Sequence, residues 1–178
     1  MRRLVLTSSL AVAVLAVIAA GAALAHGDNG KSNARLNGFQ ETPSISTTGH
    51  GKFSVRLRSD GIHYVLRYSE LEANAAVAHI HFGQRHTAGG IVAFLCGGGD
   101  KPPCPAREGR VEGVIDVADV LAIPTQGIEA GALREVVRAL RHGAIYANVH
   151  TATFGNGEIR GQVDGHNGKR DDDKRDRK

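Results

Sequence analysis

An all-β fold, a Greek-key sandwich or barrel with one short amphipathic helix, is predicted by three features of this 178-residue sequence. Apolar and polar residues alternate with period two over several short segments, the pattern of strands with one face on a core. Glycine-rich stretches separate those segments at short spacing, as turns between antiparallel strands require. Only one segment carries apolar residues at helical spacing, so strands and helices do not alternate as an α/β fold demands.

The first strand is expected over residues 35–39. Next, Phe53, Val55 and Leu57 alternate with Ser54, Arg56 and Arg58; Asp60-Gly61 turns the chain, and Ile62, Tyr64, Leu66 and Tyr68 alternate again. This is a β-hairpin, because Asp-Gly supplies the positive φ of a tight turn. Further strands are predicted over residues 76–82, 90–95, 109–117, 144–151 and 158–163. Leu133, Val136, Val137 and Leu140 mark the helix, expected over residues 129–141 with Gly143 as its C-terminal cap.

The termini set the compartment and the domain limits. Arg2 and Arg3 precede a small-and-apolar run from Leu4 to Leu24 that ends in Ala23-Leu24-Ala25, so residues 1–25 read as a secretory signal peptide cleaved before His26. An uncleaved N-terminal membrane anchor is the alternative, since the run is nearly long enough to span a bilayer. Residues 26–33 are expected to be a loose polar segment, 34–163 a single β domain, and 164–178 a disordered charged tail. No later segment is apolar enough to cross a membrane, and the expected signal peptide places the mature chain outside the cytoplasm, secreted or periplasmic. Losing Arg2 and Arg3 lowers the formal charge from 22 − 18 = +4 to 20 − 18 = +2. With no Trp and no basic stripe interleaved with aromatics, nucleic-acid binding is not indicated.

Cys96 and Cys104 bracket a Gly/Pro loop, Gly97 to Pro103. In an oxidising compartment this arrangement predicts one local disulfide. A two-thiolate metal site is the weaker alternative, because the spacing fits no common zinc motif.

Nine histidines are many for this length, and their placement suggests a metal site. His79 and His81 share one face of the strand Ala78-His79-Ile80-His81-Phe82, while Ala78, Ile80 and Phe82 share the other. Alternate residues on a strand lie about 6.6–7 Å apart, which lets two imidazoles converge on one ion. The same parity puts His150 beside Asn148 and Tyr146 on a polar face, opposite Ile145, Ala147 and Val149. In the last strand Ile159 and Val163 point inward, and Glu158, Arg160 and Gln162 outward. His86, in the loop Gln84-Arg85-His86-Thr87, could reach back as another ligand. His26 would become the amino-terminal residue after cleavage and offer a second copper-binding group. The alternative for all of these is an ordinary solvated sheet face. No Gly-x-Ser-x-Gly elbow and no phosphate-cradling loop is present, and no carboxylate pair can be given an acid/base role.

Four motifs together resemble the CHRD (chordin) domain in order and spacing. They are Leu36-Asn37-Gly38-Phe39-Gln40-Glu41-Thr42-Pro43, Ala78 to Gly83, Ile145 to Thr151, and Gly157 to Val163. The resemblance covers residues 34–163 and implies a β fold on an exported protein. A second resemblance is to copper/zinc superoxide dismutase, through His79-Ile80-His81, Val149-His150 and Gly155-Asn156-Gly157-Glu158-Ile159-Arg160. It implies copper ligation by His79, His81 and His150, and anion guidance by Arg160. The Gly155 motif is one residue shorter than in that family, the zinc-ligand cluster has no match, and the family's disulfide partner near the C-terminus is absent.

The sequence therefore predicts an exported binding module, more readily non-enzymatic than catalytic, with a copper (or zinc) site and a protein or cell-surface ligand as partner. A copper-dependent redox enzyme and a purely structural cell-surface or matrix domain are the alternatives.

Overall fold

A computed structural model describes residues 30–165. The expected signal peptide, the cleavage point and the tail beyond Gly165 lie outside the described residues. Eight strands form one antiparallel sheet: β1 (Lys31–Asn37), β2 (His50–Arg58), β3 (Gly61–Ser69), β4 (Ala75–Phe82), β5 (Gly90–Cys96), β6 (Gly109–Ile115), β7 (Ile145–Thr151) and β8 (Ile159–Gln162). Their order in the sheet is β5-β4-β7-β8-β1-β2-β3-β6. The edge strands β5 and β6 approach one another without forming a ladder, so the sheet curls into a nearly closed barrel. Connections that cross between its two halves, residues 70–74, 97–108 and 116–144, join them without hairpins, as Greek-key wiring requires. One helix, α1 (Leu133–Arg141), completes the fold.

Each element answers to local chemistry. β1 begins at Lys31, because the alternation extends backwards: Ser32, Ala34 and Leu36 are buried, and Lys31, Ser32 and Asn33 pair with Arg56, Val55 and Ser54. Residues 31–33, assigned above to a loose segment, thus belong to the sheet. Phe39 does not: it sits 71% exposed in a 3-10 turn over Gly38–Gln40, capped by the Asn37 side chain. The β2–β3 hairpin turns at Ser59 and Asp60, one residue before the expected dipeptide. Gly61 opens β3 with φ +147°, where a Cβ would lie 2.5 Å from the Ile115 carbonyl oxygen. α1 starts four residues later than the spacing suggested, after Gly131 at φ +77°. Its Val136, Ala139 and Leu140 join the core, and Gly143, with φ +66°, ends it as expected.

Inward side chains of both halves build one core, including Leu36, Phe53, Ile62 and Leu66 on one side and Ile80, Leu95, Ile145 and Ile159 on the other. The Tyr64 hydroxyl crosses it to donate to the Leu95 carbonyl at 2.8 Å. Cys96 and Cys104 are disulfide-bonded, with Cα atoms 5.0 Å apart.

Candidate metal centre

Strand pairing brings the predicted histidines together. β4 lies beside β7 with His79 opposite Asn148, His81 opposite Tyr146 and Val77 opposite His150. His79, His81 and His150 therefore project from the same outer face. The His79 ring lies 4.5 Å from the ring centres of both His81 and His150. One ring nitrogen from each of the three lies within 4.8 Å of the other two.

Hydrogen bonding decides which nitrogens are free. His81 Nδ1 is 2.8 Å from the Gly89 carbonyl, and His150 Nδ1 is 2.9 Å from that of Gly155. A carbonyl only accepts, so in both neutral rings the proton sits on Nδ1 and the lone pair on Nε2. His81 Nε2, His150 Nε2 and His79 Nδ1 are buried without any hydrogen-bond partner. Three orphaned buried nitrogens in one cluster are an unusual cost for a folded protein, and they are the donor set an imidazole-ligated ion needs. Bonds of about 2.0–2.1 Å would hold such nitrogens roughly 3.3 Å apart in tetrahedral geometry, so modest ring rotation closes the site.

The rings stay neutral. Burial, reinforced by the neighbouring His81 and His150, drives the His79 imidazole down to about 2. Burial likewise lowers His81 to about 4, against the raising effect of its bond to Gly89, and lowers His150 as well.

The outer face is not a solvated one. His79, His81, Asn148, Arg160 and Gln162 are all buried. Three loops cover them: the β4–β5 loop through Gln84 and Gly89, the segment after β1 through Glu41 and Thr42, and the β7–β8 loop through Gly155. Tyr146 stacks between the His81 ring, at 4.5 Å and 7° interplanar angle, and the Arg160 guanidinium, 3.4 Å from its centroid. Arg160 also donates to the Gln84 carbonyl at 2.8 Å and to the Thr42 hydroxyl at 3.3 Å. Asn148 donates to Glu41 at 2.5 Å. Burial raises the Glu41 carboxyl to about 7, although Arg160, Asn148 and the Thr42 backbone all pull it down.

Two predicted members lie elsewhere. His86 is exposed on the β4–β5 loop at φ +61° and is not part of the histidine cluster. Glu158 precedes β8 and escapes its parity. It is fully buried at the barrel end, accepting from the Thr47 and Thr151 hydroxyls and the Glu72 amide, each at 2.8 Å. The carbonyls of Gly89 and Gly155, and Glu41 behind Asn148, were not assigned from sequence. The two carbonyls are signalled only by the glycines of Gly89-Gly90 and Gly155-Asn156-Gly157, which mark loops but not what those loops touch, and Glu41 only by its place in the Leu36 to Pro43 motif.

No curated protein and no solved structure matches the chain, so the dismutase resemblance rests on its motifs alone. The CHRD domain model matches residues 32–163, from the second residue of β1 to the residue after β8. That span contains all three histidines and the loops that cover them, and the chain therefore belongs to the CHRD domain family.

Proposed function

We propose that this chain is an exported binding module that holds one transition-metal ion, copper in preference to zinc, through His79, His81 and His150. The observation that carries this reading is the trio of buried, unpartnered ring nitrogens. Carbonyls on two loops set the tautomers of His81 and His150 before any ion arrives, a typical outer-layer device of metal sites. Imidazole ligation suits either ion, and the affinity order favours Cu²⁺. Bound there, copper would supply Lewis acidity or one-electron chemistry. The disulfide supports an oxidising compartment, and among the described residues no helix is long and apolar enough to cross a membrane.

Arg160 favours binding over turnover. In a dismutase-like enzyme it would guide an anion to the ion. Its guanidinium is instead spread on Tyr146 and tied to Gln84 and Thr42, the posture of a clamp that closes the loops over β7 and β8.

Calorimetry with Cu²⁺ on protein purified without a histidine tag should find one site that disappears in the His79→Ala/His81→Ala variant. His26 remains in both proteins, so any amino-terminal site is common to the two titrations. His150→Ala should also weaken binding if the double variant folds poorly. Unchanged binding in both folded variants would end the proposal, and substantial superoxide turnover would replace it with the enzyme reading.

A further inference from the structure

The outer face of β1, β2, β3 and β6, on the opposite half of the barrel from the histidines, carries a charge pattern invisible in the linear sequence. Registers Arg35↔Lys52, Lys52↔Arg67 and Arg67↔Arg110 set four cations side by side in one row across four strands. All four are exposed. At about 4.8 Å per strand the row is roughly 14 Å long. Four residues along the strands, Lys31 lies opposite Arg56, with Arg58 at the end of β2, and these too are exposed. The only carboxylate among the strand residues of this face is Glu112, which pairs with Arg110. The face thus carries 7 − 1 = +6, more than the whole chain's formal +4, which leaves the remainder at −2. Like charges directly opposite destabilise a sheet, so the row opposes folding unless an anion covers it.

We infer that this face is a docking site for an acidic polysaccharide, a linear polymer bearing carboxylate or sulfate on its sugars. The pattern fits that chemistry better than other polyanions. Phe53, Tyr64 and Tyr68 on β2 and β3 point into the core, so a nucleic-acid base finds no Phe, Tyr or Trp ring among the strand residues to stack on here. Among the strand residues of this face Val65 and Val114 are the only apolar side chains and both are half-buried, which leaves no strand side chain to insert into a bilayer. Between the two basic zones run Asn33, Ser54, Val65 and Glu112, while His63 lies opposite Arg56 in the second zone, beside a shallow groove lined by Lys31, Ser54, Arg56, His63 and Glu112. Amide, hydroxyl and imidazole groups there match sugar hydroxyls, while the flanking cations match the polymer's charges. The chain's own tail, residues 169–178, is a poor occupant, since its six cations outnumber its four aspartates.

Calorimetry of the chain with polygalacturonate tests this directly, with dextran, a single-stranded oligonucleotide and phosphatidylglycerol vesicles as competing probes. Polygalacturonate should bind, dextran should not, and affinity should fall steeply with salt as charge-driven contacts do. Lys52→Glu/Arg67→Glu should lose about tenfold or more in affinity, while Arg134→Glu/Arg141→Glu, with the same change in net charge on α1, should bind as the parent does. Arg35→Gln/Arg110→Gln repeats the test without new charges, should the reversal fail to fold. No binding at about 50 mM salt, equal losses in the face and helix variants, or tighter binding of the oligonucleotide or the vesicles would each overturn the assignment.

Discussion

Gly157 keeps the polar face shut over the histidines. Its φ is +121°, and a Cβ there would lie 2.6 Å from Glu41 Oε1 and 2.7 Å from Asn148 Nδ2. Alanine would therefore be strained by its backbone and by collision with a buried hydrogen bond. Gly157→Ala should cost about 2–3 kcal/mol, read as a lower denaturant midpoint. Copper affinity should fall with it, because the same loop brings the Gly155 carbonyl to His150. A parent-like midpoint would mean that the loop yields and that the close approach is not structural. Glycine-rich spacing marked this loop in the sequence. What it could not show is that Glu41, more than a hundred positions away, fills the space a side chain would need. Glu158 was misread for a related reason: period two holds only inside a strand, and the residue lies just before β8, where Gly157 has already turned the chain.

The strands themselves were legible because each reports its own burial. β4 and β7 alternate core and polar residues so regularly that parity alone placed His79, His81 and His150 on polar faces, and pairing then put them on one face. The cover over that face was not legible, since it depends on loops whose partners are distant in sequence: Gln84 with Arg160, Gly89 with His81, Thr42 with Arg160. Nor was the basic row, whose four cations come from four separate strands. The disulfide, in contrast, is local. It ties the end of β5 to the start of the segment leading into β6, and closes a loop already held by the Gly97 amide on the Pro102 carbonyl at 2.9 Å. Cys96→Ala/Cys104→Ala should lower stability by about 2–3 kcal/mol, the loop-closure entropy of so short a ring. Equal denaturant midpoints for the variant and the parent would show that the hydrogen-bonded loop alone suffices at that corner.

At the scale of the whole molecule, the histidine cluster couples the barrel's stability to pH. In the metal-free fold His79 and His81 are held down at about 2 and about 4, and His150 below its usual range, each chiefly by burial. The unfolded chain takes up these protons near pH 6.5 and the folded chain does not, so stability falls as pH drops below about 6.5. Each such histidine contributes about 1.4 kcal/mol per pH unit until its folded value is reached. Glu41 works in the opposite sense. Burial raises its carboxyl to about 7, so between about 7 and 4.5 the fold holds a proton that the unfolded chain releases, and acidification favours folding there. Two or three histidines outweigh one carboxyl, and the metal-free protein should lose stability steadily from pH 6.5 to 4.5. Thermal melts in chelator should show that loss, with a shallower slope for His79→Ala/His81→Ala and a steeper one for Glu41→Gln, which removes the opposing proton but keeps an oxygen for Asn148. Added copper should raise the melting temperature most near neutral pH and progressively less on acidification, because the ion must compete with protons for the same nitrogens. Parallel slopes in all three proteins would mean that the buried rings are not what the acid limb reports.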